Sequence, residues 1–272
     1  MTTESRNPLT KHIDRCATSE MLRLIQDENR RSVEAVETAL PAVERACDVA
    51  AASLASGGRL IYVGAGTSGR LAVCDAAECP PTFGVSADTV CAVMAGGREA
   101  MFCAAENQED NTEAGRAALA ALHPDSRDTV VGISASGNAA YVVGALTAAK
   151  ERGCTCVSLT CNADCRLAAL SDIAIVTPTG AEVIAGSTRM KAGNAQKMVL
   201  NMLSTVAMIK TGKVYENLMI NLRPTNRKLR RRMIGIVCEL AETDETVAER
   251  LLNENGWIIR EAVDAARGGE MR

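Results

Sequence analysis

Five short apolar runs punctuate this chain, at residues 59–63, 89–94, 129–133, 154–159 and 172–176. Runs of that length, bounded by glycines and small polar residues, read as strands buried on both faces. Helical patterns separate most of them, over residues 99–106, 112–122 and 139–151. Strand, helix, strand at this rhythm implies right-handed βαβ crossovers and a parallel sheet. The predicted fold class is therefore α/β, a doubly wound five-stranded parallel sheet flanked by helices. Composition agrees: 47% of residues are hydrophobic but only 2% aromatic, so Ala, Val, Leu, Ile and Met must build the core.

The remaining chain reads as helix. Thr18 is the expected N-cap of a first helix, and Pro41 suits the first turn of a second that stops at Gly57-Gly58. A long, mostly apolar helix is predicted over 187–209, and short helices from about Pro224, with breaks at Asp244 and Asn253-Glu254-Asn255-Gly256. The expected organisation is a helical segment over 1–57, a central domain over 58–223 and a small helical C-terminal region over 224–272.

Several function classes are argued against at once. Net charge is −3 with the signs well mixed, so there is no basic footprint for nucleic acid. The basic run at 227–232 reads as a solvated helix face. Residues 1–15 are polar and lack the apolar stretch of a signal peptide, and no run is long enough for a membrane span. A cytoplasmic location is expected. The eleven cysteines then read as reduced thiols serving as small core residues. Cys154, Cys156, Cys161 and Cys165 lack the paired C-x-x-C spacing of structural zinc, so no metal is expected. His12 and His123 are the only histidines and neither adjoins a glycine-rich turn, which argues against a histidine-based triad.

The chemistry concentrates in loops after the strands. Gly64-Ala65-Gly66-Thr67-Ser68-Gly69-Arg70 directly follows the first apolar run. Glycines let backbone amides approach an anion, and a following helix N-terminus adds a favourable dipole. Gly66, Thr67 and Ser68 are the expected anion contacts, and Arg70 can pair with a phosphate or with a carboxylate. The stretch also matches G-x-G-x-x-G, but a dinucleotide site wants an acidic residue at the end of the second strand. That strand ends in Met94-Ala95-Gly96-Gly97, with Asp88 at its wrong end. The helix after the loop is also expected to stop at Cys79-Pro80-Pro81. A second loop, Ser134-Ala135-Ser136-Gly137-Asn138, repeats the small hydroxyl and glycine chemistry after the third run. Two such loops at neighbouring strand ends describe a phosphate pocket without a metal. A third cluster, Gly186-Ser187-Thr188-Arg189-Met190-Lys191, is expected at the same sheet edge, with Ser187 and Lys191 as candidate sugar contacts.

These loops resemble those of the sugar isomerase (SIS) domain. More narrowly, Asp75-Ala76-Ala77-Glu78-Cys79-Pro80-Pro81-Thr82-Phe83-Gly84 resembles the N-acetylmuramic acid 6-phosphate etherase family. So do Gly186-Ser187-Thr188-Arg189-Met190-Lys191-Ala192-Gly193 and Ala195-Gln196-Lys197. The resemblance implies a SIS-type fold and a cofactor-free, homodimeric lyase. It would cleave the lactyl ether of N-acetylmuramic acid 6-phosphate to N-acetylglucosamine 6-phosphate and D-lactate, in cell-wall sugar recycling. It also implies Glu78 as proton donor and Glu109 as the second acid/base group. The flanking Ala76, Ala77 and Cys79 are expected to desolvate Glu78 and raise its pKa. After the serine-glycine pair of the second loop the family usually has arginine, threonine and proline, where this chain has Asn138-Ala139-Ala140. That departure bears on substrate affinity and identity. The alternatives are an aldose–ketose isomerase, which needs no acid at carbon 3, and a non-catalytic sugar-phosphate-binding regulator. Retention of both glutamates argues against the isomerase, and the chain has no room for the extra domains of such regulators.

Overall fold

The five apolar runs form five strands: β1 (Leu60–Gly64), β2 (Val90–Met94), β3 (Thr129–Ile133), β4 (Thr155–Thr160) and β5 (Ile173–Val176). This computed structural model describes residues 2–103 and 107–268. All neighbouring strands pair in parallel, in the order β2-β1-β3-β4-β5. Gly64 is level with Met94 on one side and with Ile133 on the other. The loops that follow β1 and β3 therefore leave the sheet side by side, at the point where the winding reverses. In an open α/β sheet that is where ligands bind.

The helices are α1 (Thr18–Ala55), α2 (Gly66–Phe83), α3 (Thr112–Ala120), α4 (Ala140–Glu151), α5 (Arg166–Leu170), α6 (Lys191–Lys210), α7 (Arg227–Ala241), α8 (Glu245–Glu254) and α9 (Ile259–Arg267). They distribute over two compact units, Met1–Ala77 with Asp88–Ala207, and Glu78–Ala87 with Met208–Arg272. The first holds the sheet, and its core draws heavily on α4, where Val142, Ala145, Leu146 and Ala149 are fully buried. Helices α3 and α4 meet at two glycines. A Cβ on Gly115 would lie 1.9 Å from the carbonyl oxygen of Tyr141, and one on Gly144 would lie 2.2 Å from that of Thr112. The second unit packs Met233, Val237, Leu252, Ile259 and Val263 of α7, α8 and α9 into a core of its own. Asn226 and Asp244 cap α7 and α8 by accepting from Leu229 N and Val247 N, both at 2.9 Å. The basic run lies on an exposed face of α7, with Arg230 stacked 4.9 Å over the Trp257 ring. Among the described residues no helix is long and apolar enough to cross a membrane.

Local signals misplaced several helix ends. Pro41 does not open a second helix; it sits inside a single 38-residue α1. Its ring is on the exposed side, while Val36, Val43, Ala46, Cys47 and Ala50 form one buried face that continues past it. An interior proline costs roughly 3 kcal/mol, and burying two valines alone contributes about 1.5–3 kcal/mol each. Thr18 is the first helical residue, and Ala17, without a side-chain bond, holds the cap position. Helix α2 likewise runs through Pro80 and Pro81 to Phe83. The helix predicted over 99–106 is a 3-10 turn, Gly97–Met101, with residues 104–106 outside the described residues. The long helix starts at Lys191 rather than at 187. Its first two amides, Lys191 N and Ala192 N, donate to the buried carboxylate of Glu182 at 3.0 and 2.9 Å. A carboxylate is favoured at that end of the helix dipole.

Beside this capped end lies the most heavily buried charge pair described in the protein. Lys191 is 1% exposed and Glu28, on α1, 2% exposed, and the ammonium donates to Glu28 Oε2. Asn7 Nδ2 donates to the same oxygen at 2.8 Å, and Arg31 approaches Oε1 at 3.3 Å. Removing one member of such a pair strands a buried charge. Lys191→Met is therefore expected to cost about 3–5 kcal/mol in denaturant unfolding. The double change Glu28→Leu with Lys191→Met is expected to cost clearly less than the sum of the single changes, because it removes both charges together.

Candidate functional site

Strand β1 passes into α2 with only Ala65 between them. The turn is that tight because Gly64 and Gly69 touch across it: a Cβ on Gly64 would lie 2.6 Å from Gly69 N. The first helical amides, those of Gly66, Thr67 and Ser68, have no intrahelical carbonyl to bond and form the positive end of the helix dipole. The β3 loop is braced from behind. Cys161 N and Leu167 N donate to Ala135 O and Gly137 O, both at 3.0 Å, and Asn162 Nδ2 donates to Ser136 O at 3.2 Å. Within the loop Ser134 Oγ and Ser136 Oγ lie 3.3 Å apart, and Gly137 turns with φ +75°.

Between these two turns lies a cavity of about 250 Å³. Thr67, Ser68, Ser134, Ser136 and Thr188 supply hydroxyls to its wall, and among the described residues Glu4 and Glu109 supply its carboxylates. A second pocket of about 120 Å³ shares Ala65, Gly66 and Glu109 and is lined further by Arg70, Met94, Ala95 and Ala100. A larger groove of about 980 Å³ follows the β2 edge, but its walls are mostly apolar and carry none of the hydroxyls. The smaller cavity is the one whose chemistry suits an anion.

Two features tune it. Ser68 Oγ donates to Gln196 Oε1 at 3.0 Å, while the buried Gln196 Nε2 has no partner among the described residues. With the amide reversed, Gln196 donates to Ser68, and the serine proton is free for a bound anion. Glu109 is tied at the backbone, where Tyr141 N donates to its carbonyl at 2.9 Å. Its side chain is exposed at the mouth, yet the carboxyl is crowded by packed atoms. Burial first, and the neighbouring charge of Asp110 second, push its pKa above the usual carboxylate range.

Comparison with known proteins is decisive at the level of family. Two family models match, the Glucokinase regulatory protein N-terminal SIS domain over residues 42–150 and the SIS domain over residues 110–206. The chain is 50% identical over 252 residues to the N-acetylmuramic acid 6-phosphate etherase of Aeromonas hydrophila, covering 93% of this chain and 85% of that one. It is 47% identical over 269 residues to that of Salmonella agona, covering 99% and 91%. The chain belongs to the N-acetylmuramic acid 6-phosphate etherase family. Solved structures agree on the SIS fold. A phosphoheptose isomerase from Neisseria gonorrhoeae matches at TM-score 0.53 and 21% identity over 70% of this chain and 97% of its own. A phosphoheptose isomerase from Francisella tularensis matches at TM-score 0.54 and 18% identity over 70% and 96%.

Of the residues singled out from sequence, the cavity gathers Gly66, Thr67, Ser68, Ser134, Ser136 and Glu109. Gly137 and Asn138 shape it without lining it: Asn138 Nδ2 donates to Ser136 O at 3.3 Å and Oδ1 accepts from Arg166 N at 3.1 Å. At the position where the resemblance led to the expectation of an arginine, Asn138 braces the turn. Four residues stand elsewhere than expected. Arg70 does not reach the hydroxyl-lined cavity; it donates to the carbonyls of Met101 and Cys103, both at 3.2 Å. Lys191 is buried with Glu28, and Ser187 belongs to a turn closed by its N–H on Ile184 O at 3.0 Å; Thr188 and Gly186 line the cavity instead. Glu78 is exposed on α2, about three turns beyond Gly66, without the desolvating shield expected of its neighbours.

Sequence reasoning missed Glu4 and Gln196, which reach their places only through contacts far apart in the chain. It also missed Glu182, whose carboxylate caps α6. The four clustered cysteines serve separate local contacts: Cys154 donates to Asp125 O at 3.1 Å and Cys165 to Asn162 O at 3.2 Å. Burial pushes the Cys154 thiol up to about 11 and Cys156 to about 12. Gly137→Ala tests the second loop, since its Cβ would meet Cys165 Sγ at 2.3 Å on a left-handed backbone. It is expected to lower stability by more than about 1 kcal/mol in thermal unfolding and to weaken inhibition by inorganic phosphate.

Proposed function

We propose that this protein is an N-acetylmuramic acid 6-phosphate etherase, releasing D-lactate and N-acetylglucosamine 6-phosphate from the lactyl ether in the recycling of cell-wall sugar. Beyond the family relationship, one observation carries the reading. A carboxyl with a raised pKa, Glu109, lines the same cavity as the hydroxyls and amides of the two strand-end turns. A phosphate ester fits those donors without a metal, because helix-terminal amides and hydroxyls supply both hydrogen bonds and positive potential.

The reaction needs what such a site offers. The leaving group is a basic alkoxide on carbon 3, so an acid must protonate its oxygen as the bond breaks. Carbon 2 must lose a proton, which becomes feasible once the ring opens and carbon 1 is an aldehyde. Water then adds across the carbon 2–carbon 3 double bond, returning a proton to carbon 2 and a hydroxyl to carbon 3. The resemblance to the family makes Glu78, which lies outside the cavity lining, the proton donor, and Glu109, which lines it, the second acid/base group, each worth about 10²- to 10⁴-fold. A carboxyl that titrates nearer neutrality serves both directions of proton transfer better than an ordinary one. The enzyme works as a homodimer in the cytoplasm, without a cofactor.

Purified protein without added metal or nucleotide is expected to release D-lactate, read by an enzyme-coupled assay. Glu78→Ala is expected to abolish release with an unchanged circular dichroism spectrum. In deuterated water, product hydrogen at carbon 2 is expected to come from solvent; its full retention would exclude elimination. The pH profile tests Glu109. If the ionised form removes the carbon 2 proton, kcat/KM falls as pH drops through its raised pKa. Asp110→Asn deletes a charge that raises this pKa, so the acidic limb is expected to move to lower pH. A limb that stays in place removes Glu109 from that role.

A further inference from the structure

The second carboxylate of the cavity, Glu4, stands in a segment for which the reaction has so far found no use. It lines the cavity together with Glu109 and the hydroxyls of both loops. Three anchors hold the short segment around it. Thr3 is fully buried. Asn7 Nδ2 bonds both Glu28 Oε2 at 2.8 Å and Ala181 O at 3.3 Å. Thr10 Oγ1 donates to Val183 O at 2.8 Å. The opposite wall makes room for it: Glu4 Oε2 lies 3.3 Å from where a Cβ on Gly186 would stand. The buried pair of Glu28 with Lys191 thus has a second consequence, because its Asn7 contact ties the chain's beginning to the mouth of the cavity.

A carboxylate facing a phosphate is repelled, so Glu4 must face an uncharged portion of whatever binds there. Sugar hydroxyls are the natural partners, since a carboxylate accepts from two at once and makes charge-assisted hydrogen bonds. We infer that Glu4 orients the substrate, accepting hydrogen bonds from sugar hydroxyls while the turns at 66–68 and 134–136 hold the phosphate. This deepens the etherase reading and rests on the cavity being its sugar-phosphate site. Glu4 is in this account a substrate-binding residue, with the proton transfers left to the other glutamates.

Steady-state kinetics of full-length Glu4→Ala, Glu4→Gln and wild type, together with competitive inhibition by inorganic phosphate and melting curves, test it. Glu4→Ala is expected to raise KM about 10- to 100-fold, the loss of one charge-assisted hydrogen bond, with a smaller change in kcat. Phosphate inhibition and melting temperature are expected to stay at wild-type values, because the phosphate end and the fold are untouched. Glu4→Gln is expected to recover part of the affinity, since its amide oxygen still accepts. An unchanged KM overturns the inference. So does a kcat loss of about 10²-fold or more at constant KM, which would make Glu4 an acid or base. A joint loss of phosphate inhibition and thermal stability overturns it in favour of a purely structural role. Wild type that neither releases D-lactate nor is inhibited by phosphate would instead sink the etherase reading, and this inference with it.

Discussion

The site depends on a buried ion pair that never touches it. Glu28 on α1 and Lys191 at the start of α6 are 163 residues apart and almost completely buried. The mutual attraction of two charges removed from water offsets their desolvation only when their remaining valences are filled, as those of the Glu28 carboxylate are. Asn7 and Arg31 share the Glu28 carboxylate, while the backbone of Lys191 and Ala192 is held by Glu182. The arrangement fixes where α6 begins, and so where Gly186 and Thr188 stand. It also fixes the segment carrying Glu4. Apolar residues at such a buried pair often stabilise a fold as well; here the charges join α1 to the start of α6.

The chemistry is sorted by sign across a small volume. Donors come from regular local structure, a helix N-terminus and a braced turn, each set by a glycine contact too close for any side chain. Acceptors come from two glutamates: Glu109, whose carbonyl accepts from Tyr141 N, and Glu4, whose segment is held through Asn7 and Thr10. This division suits a dianionic ester at one end of the cavity and hydroxyls at the other, without a metal. The raised pKa of Glu109 follows from the same crowding that narrows the cavity, with Asp110 adding to it.

The helix boundaries show where local chemistry gives way to packing. Pro41, Pro80 and Pro81 are all helix breakers by rule, and all three lie inside helices. For Pro41 the buried face of α1 explains it. That face is periodic on both sides of the proline, so the pattern was legible, but its total worth was not, because it depends on what packs against it. The start of α6 failed for the opposite reason. Ser187 and Thr188 look like caps, yet the true capping group is a carboxylate nine residues upstream. The cysteines that cluster in sequence serve as core residues: Cys154, Cys156 and Cys165 pack into one cluster against the sheet, while Cys161 packs in another with Ala135 and Ala192.

The sheet, its parallel sense and the two hydroxyl-bearing turns at its centre were all legible along the chain. They follow from short-range rules: apolar period, glycine at crowded turns, and the fixed hand of crossover connections. The family relationship was legible too, through motifs that are contiguous in sequence. The parts played by most charged side chains were not, and they emerged only from folding. Lys191 went to a buried partner, Arg70 to two carbonyls, and Glu4 to the cavity. A charge settles on whichever opposite charge or open carbonyl folding brings within about 3 Å, and such neighbours are set by long-range packing that no local spacing encodes.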